Sequence, residues 1–213
     1  MPRNRRNLNE RNKFYILTNG RETEKNYFDL IKSKRSIYDV KVEYQNYNPA
    51  QLVQYASQYL RDANQVWCVF DIDNNYADGA LEQAIRLSDE TGVQIAYSNM
   101  AFEVWLLSHY QKVESSFDNA RLIRQMNKLL KDELGLNCEY DKSDKELLKK
   151  YFLPNVEVAV ENSKVIYQRR VKQHEKQYEG NKNYRIWEWN SSTNVFQLIE
   201  ALKLQELKGI ESQ

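Results

Sequence analysis

The chain has little that would support a disulfide-rich, zinc-binding or membrane protein. Its 213 residues include only two cysteines and two histidines, too few for a disulfide framework or the usual Cys/His zinc sites. No apolar run approaches the length of a membrane span, and the basic, polar N-terminus lacks the apolar core of a signal peptide. We therefore predict a soluble cytoplasmic protein with no membrane contact.

The sequence also lacks a strong charge imbalance. The formal net charge is +1, so overall charge does not indicate a nucleic-acid-binding protein. The cations are concentrated in two regions, a basic N-terminal arm over residues 1–12 and a second region over residues 164–185. The candidate nucleic-acid-binding residues in the second region are Lys164, Arg169, Arg170, Lys172 and Lys176. For each of them, a place on an ordinary solvated helix face is the alternative.

Short apolar runs alternate with amphipathic segments over the first half of the chain. Strands are predicted at residues 14–18, 39–44, 66–70 and 93–97, with helices at residues 21–34, from Pro49 onwards and at residues 76–89. This alternation predicts an α/β fold with a small parallel four-stranded sheet. No Gly-x-Gly-x-x-Gly or Walker pattern follows a predicted strand, so the usual nucleotide cradle is absent. We expect the core to cover residues 13–112, with residues 113–213 as a helical extension packed on it.

One buried strand runs directly into a pair of acidic residues. The apolar residues 66–70 are followed by Asp71 and Asp73. In open α/β sheets, ligands bind beyond the carboxyl ends of the strands, which places these carboxylates for chemistry. Because the two anions repel each other, a hard divalent cation is their natural partner. A solvated turn with helix-capping aspartates is the alternative.

Two further segments would deliver polar groups to the same edge of the sheet. The first strand ends at Asn19 and leads to Glu22 and Glu24, while the fourth strand leads to Glu103. Glu103 lies in an otherwise apolar helical segment. A carboxylate there needs a cation, a hydrogen-bond partner or a place at the polar rim of the helix.

Two other metal-dependent classes share part of this pattern. A haloacid-dehalogenase-type phosphatase also has Asp-x-Asp after an apolar strand, but there the pair follows the first strand and not the third. An EF-hand loop would use the oxygen ligands Asp71, Asp73, Asn75 and Glu82, but Tyr76 stands where that loop requires glycine. We therefore disfavour both classes.

Four blocks of sequence carry a resemblance to a known family, namely residues 16–28, 69–73, 98–107 and 192–195. In this order they resemble the RloB-like family, which is associated with abortive infection and phage defence and has a Toprim-type catalytic domain. The resemblance implies a Toprim-like sheet, Mg²⁺ or Mn²⁺ as cofactor, and cleavage of RNA, such as tRNA, or of DNA. It also implies a homodimer and a partner ATPase of a defence system.

The resemblance assigns roles to individual residues. Glu24, Asp71 and Asp73 match the metal-binding acids of the family. Glu103 matches a further acid of the catalytic site. Lys142 lies in a looser part of the pattern where related sequences tend to carry a lysine, which would offset charge developing on the phosphate.

Asn19 departs from the family pattern, which usually has a glutamate at this position. An amide coordinates a metal weakly through its oxygen and carries no proton at neutral pH. Glu22, in the same loop, could supply the missing carboxylate. Otherwise the protein cleaves slowly, or it binds without cleaving as a regulatory subunit that works with the partner ATPase.

Other residue types that often carry function are interpreted here as structural. Trp187 and Trp189 flank Glu188 in an alternation that could stack on unpaired bases but is more typical of a core anchor. His109 and His174 have no nearby cysteine and no nucleophile motif. We expect both histidines to be structural or surface residues.

Overall fold

The computed structural model describes residues 13–34, 39–72, 79–178 and 185–210. The N-terminal arm over residues 1–12 and the candidate ligand Asp73 lie outside the described residues, as does the start of the helix predicted from residue 76.

Strands and helices alternate through the first half of the chain. The elements are β1 Lys13–Thr18, α1 Thr23–Lys34, β2 Asp39–Tyr44, α2 Pro49–Ala56, β3 Gln65–Asp71, α3 Ala80–Thr91, β4 Gln94–Asn99 and α4 Glu103–Ser108. All four strands predicted from the apolar runs are present, so the α/β class is confirmed. Gly92 ends α3 with a φ of 87°, a left-handed conformation that glycine adopts without steric cost.

The second half of the chain is mostly helical. Its elements are α5 Asn119–Lys128 with a π-helical turn Leu129–Glu133, α6 Lys145–Leu147 with a π-helical turn Leu148–Phe152, α7 Val156–Gln177, β5 Ser192–Thr193 and α8 Val195–Ile210. These helices agree with the helical character predicted for residues 113–213. The strand β5 was not predicted.

Within the described residues, the sheet therefore has five strands and not the predicted four, in the order β2-β1-β3-β4-β5. The first four strands are parallel, and β5 pairs with β4 in the antiparallel direction. The prediction was wrong because β5 has only two residues, both polar, and no apolar alternation marks it.

The side chain of Asn194 extends this short strand. Its Oδ1 atom accepts a hydrogen bond from the backbone N–H of Tyr97 at 2.6 Å, and its Nδ2 atom donates to the carbonyl of Ile95 at 2.9 Å. A side-chain amide offers the same donor and acceptor as a peptide group, so Asn194 continues the pairing along the edge of β4.

Alternate residues of the central strands point to two hydrophobic clusters, one on each face of the sheet. Phe14 and Ile16 of β1 belong to the first cluster, which also contains residues of α5, α7 and α8. Tyr15 and Leu17 belong to the second cluster, under α2 and α3. With both faces covered, the carboxyl ends of the strands are where polar side chains can gather. In the described part of the chain, no helix is both long and apolar enough to span a membrane.

Candidate functional site

The neighbouring strands β1 and β3 bring Asn19 and Asp71 to the same edge of the sheet. The backbone N–H of Asn19, directly after β1, donates to the carbonyl of Val69 in β3 at 3.1 Å. Asp71 is the last residue of β3 and lies opposite Ser98 of β4. The N–H of Ile72 donates to the carbonyl of Ser98 at 2.8 Å, so the backbone around Asp71 is paired with β4.

Glu24 lies in the first turn of α1, and its carboxylate packs directly against Gly20. A Cβ atom at position 20 would overlap the carboxylate carbon and both oxygens of Glu24. Only glycine leaves the space that this carboxylate occupies. The hydroxyl of Thr18 donates to the carbonyl of Gly20 at 2.9 Å, which fixes the loop beneath it.

Glu24 is only 6% exposed, and this burial changes the pKa of its carboxyl group. Loss of solvent raises the pKa of Glu24 from 4.5 to about 7, and the negative charge of Glu103 acts in the same direction. A backbone hydrogen bond and the ammonium of Lys142 oppose the rise. Glu24 therefore exchanges its proton near neutral pH.

Glu103 begins α4 and is only 1% exposed. Its Oε1 atom accepts a hydrogen bond from the hydroxyl of Tyr140 at 3.1 Å and lies 3.0 Å from the Nζ atom of Lys142. The partner that the sequence required for this carboxylate is therefore a lysine together with a tyrosine. Breaking such a pair leaves a buried charge uncompensated, which makes the interaction costly to remove.

Lys142 reaches the site from a loop that is hydrogen-bonded to the start of α1. The hydroxyl of Thr23 donates to the carbonyl of Lys142 at 3.2 Å, and the side-chain amide of Asn26 donates to the carbonyl of Ser143 at 3.5 Å. Partial burial works against the charged form of Lys142. The nearby carboxylates, of which Glu103 acts most strongly, outweigh this effect and raise the pKa of Lys142. The lysine is therefore a permanent cation at this site.

Tyr140 was not identified from the sequence. Burial raises its pKa well above 10, so the hydroxyl stays protonated and remains a donor to Glu103. The backbone N–H of Tyr140 donates to Oδ1 of Asn127 at 2.7 Å. The only sequence signal was its position two residues before Lys142.

Glu22 lies in the same loop as Asn19 but is exposed, in contrast to Glu24. Its backbone carbonyl accepts from the N–H of Asn26 at 2.8 Å. The carboxylate of Glu22 is therefore not part of the buried group of Glu24 and Glu103.

The donor chemistry at this edge suits a hard divalent cation, because Glu24 and Asp71 supply carboxylate oxygens. Across the described ranges, no group of three or more His, Cys, Asp or Glu side chains is arranged to hold a metal. Glu103 is instead engaged with Lys142, so two acids of the described set are the candidate ligands.

A family comparison covers this whole site. The model of the family described as RloB-like protein matches residues 14–202. The chain belongs to the RloB-like family. Neither the curated proteins nor the solved structures gave a significant match.

The four blocks that carry the family resemblance lie around one edge of the RloB-like sheet. Residues 16–28 contribute Glu24, residues 69–73 contribute Asp71, and residues 98–107 contribute Glu103. The fourth block, residues 192–195, contains β5 and Asn194 and pairs with β4. This block therefore forms the edge of the sheet next to Ser98, the residue that lies opposite Asp71.

The candidate nucleic-acid-binding residues of the RloB-like chain all lie on α7, and three of them have protein partners. Lys164 pairs with Glu200 at 2.7 Å, and Arg169 pairs with Glu114 at 2.9 Å. Arg170 donates to the carbonyl of Asn190 at 3.1 Å. The exposed cations Lys172 and Lys176 line a shallow groove along the helix together with Arg169.

The two histidines are structural, as expected. The side chain of His109 is buried, and its Nε2 atom lies 2.9 Å from the hydroxyl of Tyr27. Burial lowers the pKa of His109 to about 4, so the ring is neutral at physiological pH. His174 is also buried and packs against Trp189, which confirms the interpretation of Trp189 as a core residue.

Proposed function

We propose that this RloB-like protein is a Toprim-type, metal-dependent nuclease that hydrolyses phosphodiester bonds in RNA or DNA and acts in bacterial defence against phage. The observation that carries the proposal is the convergence of Glu24, Asp71, Glu103 and Lys142 at the carboxyl ends of the strands. Parallel strands with acids after β1 and β3 are compatible with the Toprim-type domain that the resemblance implies. Cytoplasmic localisation and a homodimer belong to the same proposal.

Glu24 and Asp71 would hold Mg²⁺ or Mn²⁺ through their carboxylate oxygens. A bound cation of this kind activates water and stabilises the leaving oxygen in phosphodiester hydrolysis. Glu24 holds a proton near neutral pH and gives it up on becoming a ligand, so cation binding strengthens as the pH rises.

The other residues act on the phosphate. The side chain of Lys142 is half exposed, so its ammonium would be available to a non-bridging phosphate oxygen. Glu103 orients this ammonium by holding it on one side, and the hydroxyl of Tyr140 holds the carboxylate of Glu103 in place. Exposed Lys172 and Lys176 would add contacts to the nucleic-acid backbone that depend on salt but not on sequence.

The second candidate function is a nucleic-acid-binding or regulatory subunit that works with a partner ATPase. It is favoured by the amide of Asn19 in place of a carboxylate and by the exposure of Glu22, which leaves no replacement acid buried in the described loop. Such a subunit would keep the cation site and lack cleavage.

Incubation of the purified protein with tRNA, single-stranded RNA and plasmid DNA in Mg²⁺ or Mn²⁺ separates the two functions. We expect cleavage that is lost in Asp71→Ala. The absence of cleavage by a protein that still binds the cation would contradict the nuclease and support the subunit. Asn19→Glu then tests whether this position limits the rate, and we expect faster cleavage in that variant.

A further inference from the structure

The loop that follows β2 lies beside the loop that leads from β1 to Glu24. Tyr44, the last residue of β2, lies opposite Thr18 in the parallel register, and the N–H of Gln45 donates to the carbonyl of Thr18 at 2.9 Å. In the order of the sheet, β1 separates β2 from β3. Since neighbouring strands are about 4.8 Å apart, the end of β2 is about 10 Å from the end of β3. A few nucleotides of single strand can cover that distance.

Tyr47 is an exposed aromatic residue in the loop after β2. It is 37% exposed, and the other large hydrophobic residues exposed in the described part of the chain are Val158 and Val165. The backbone N–H of Tyr47 donates to the carbonyl of Gln45 at 2.9 Å, and the next residue, Asn48, caps α2 through its side chain. Hydrogen bonds therefore fix the backbone on both sides of Tyr47.

A row of tyrosines supports the ring of Tyr47. Its centroid lies 5.4 Å from that of Tyr55, which meets Tyr59 edge-on at 5.7 Å. Tyr59 stacks on Tyr15 of β1 at 4.5 Å, and Tyr15 belongs to the second hydrophobic cluster. The exposed ring therefore rests on side chains that are packed down to the core, so little conformational entropy is lost when a ligand covers it.

We propose that Tyr47 stacks on an unpaired base, so that the carboxyl edge of the sheet takes single-stranded nucleic acid. This inference rests on the proposed function and specifies its substrate class. Every base has a flat face for an aromatic ring, but in a duplex the neighbouring base pairs cover that face. Two cations at the same edge complement the phosphates of such a strand. They are Arg21, which is exposed in the loop after β1, and half-exposed Lys142.

Binding of fluorescent single-stranded RNA and DNA oligonucleotides, and of their duplexes, to the full-length protein in EDTA tests the inference by fluorescence anisotropy. We expect the wild type to bind the single strands more tightly than the duplexes. Tyr47→Leu should bind the single strands about tenfold more weakly and the duplexes unchanged, whereas Tyr47→Phe keeps the ring and should stay close to the wild type. The emission of 2-aminopurine in the strand should be quenched by the wild type and Tyr47→Phe but not by Tyr47→Leu, a difference that a purely structural role of Tyr47 would not produce.

Tyr178→Leu is the matched control, because Tyr178 follows α7, where its hydroxyl donates to Glu188 at 2.8 Å. This variant should keep the preference for single strands. Equal losses for single strand and duplex in Tyr47→Leu, or no loss in a variant shown to be folded by circular dichroism, would overturn the inference. So would a wild type that binds the duplex as tightly as the single strand. Single-strand binding that depends on Tyr47, without cleavage in Mg²⁺ or Mn²⁺, would count against the proposed nuclease alone.

Discussion

The carboxyl edge of the sheet and the outer face of α7 both carry ion pairs, but the two regions place them in different surroundings. At the sheet edge, Glu103 is 1% exposed and has lysine and tyrosine partners. On α7, the partners Lys164 and Glu200 are 43% and 35% exposed. Exposed ion pairs contribute little to the free energy of unfolding because water screens them. A buried charge destabilises the fold strongly when its partner is removed. A charged cluster in the sequence therefore has energetic consequences only where the fold removes solvent from it.

The largest expected effect is the pH dependence of stability caused by Glu24. Its folded pKa of about 7 lies above the ordinary value of 4.5, so its contribution to stability is present below pH 4.5 and is lost as the pH rises to about 7. Glu24→Gln carries no charge at position 24 at either pH. Its free energy of unfolding, relative to that of the wild type, should therefore rise by up to about 3 kcal/mol between pH 4.5 and pH 8. Urea unfolding at both pH values in EDTA measures this difference.

Exposed Glu22 supplies the control for that experiment. Glu22→Gln should change stability by the same small amount at both pH values, because its carboxylate keeps its solvent. If Glu24→Gln also showed no difference between pH 4.5 and pH 8, the contrast between buried and exposed acids would not hold for this loop.

The next effect compares two lysines directly. Lys142→Met leaves the buried carboxylate of Glu103 with one donor and should lower the free energy of unfolding by about 2 kcal/mol, a value reduced because Lys142 is 50% exposed. Lys164→Met breaks the exposed pair with Glu200 and should cost less than about 1 kcal/mol. Denaturant unfolding at pH 7 measures both. Equal costs would mean that burial does not distinguish the two regions.

The hydroxyl of Tyr140 should have a smaller effect. Tyr140→Phe removes one donor to an ionised carboxylate and should cost about 1.5 kcal/mol. Tyr110→Phe is the matched control, since the Tyr110 hydroxyl donates to the neutral carbonyl of Tyr151. We expect Tyr140→Phe and Lys142→Met to be non-additive, because both act on Glu103. Additive costs in the double variant would show that the two donors act independently.

The smallest effect on stability is expected for the exposed cations of α7. Lys172→Gln with Lys176→Gln should change the free energy of unfolding by less than about 0.5 kcal/mol. In a nucleic-acid-binding assay the same double variant should reduce the dependence of log affinity on log salt by about 2, because each lysine that pairs with a phosphate contributes about one. An unchanged salt dependence would remove this face of α7 from the nucleic-acid-binding surface.

The sequence predicts those parts of the structure that depend on neighbouring residues. The apolar runs identify β1 to β4, and the acids that follow them could be placed at one edge because parallel strands end together. The strand β5 could not be predicted, because its pairing with β4 is made by polar residues and by the side chain of Asn194.

The candidate site shows the same limit. Asp71 ends β3 and Glu24 lies in the first turn of the helix after β1, so the sequence could place both. Tyr140 and Glu103 are 37 residues apart in sequence, and their contact depends on the path of a loop. The space that Gly20 leaves for Glu24 also depends on the angle at which α1 starts, which no local pattern specifies.

The long sequence separation between the parts of the site has a consequence for protein synthesis. The ribosome synthesises Glu24, Asp71 and Glu103 before Tyr140 and Lys142. A nascent chain that stops before these two residues contains the acids without their cation, and the edge of β4 stays unpaired until the segment with Asn194 has emerged. The charge arrangement therefore cannot be complete before the chain has been made as far as Lys142, and the pairing of β4 with the segment of Asn194 can form only later.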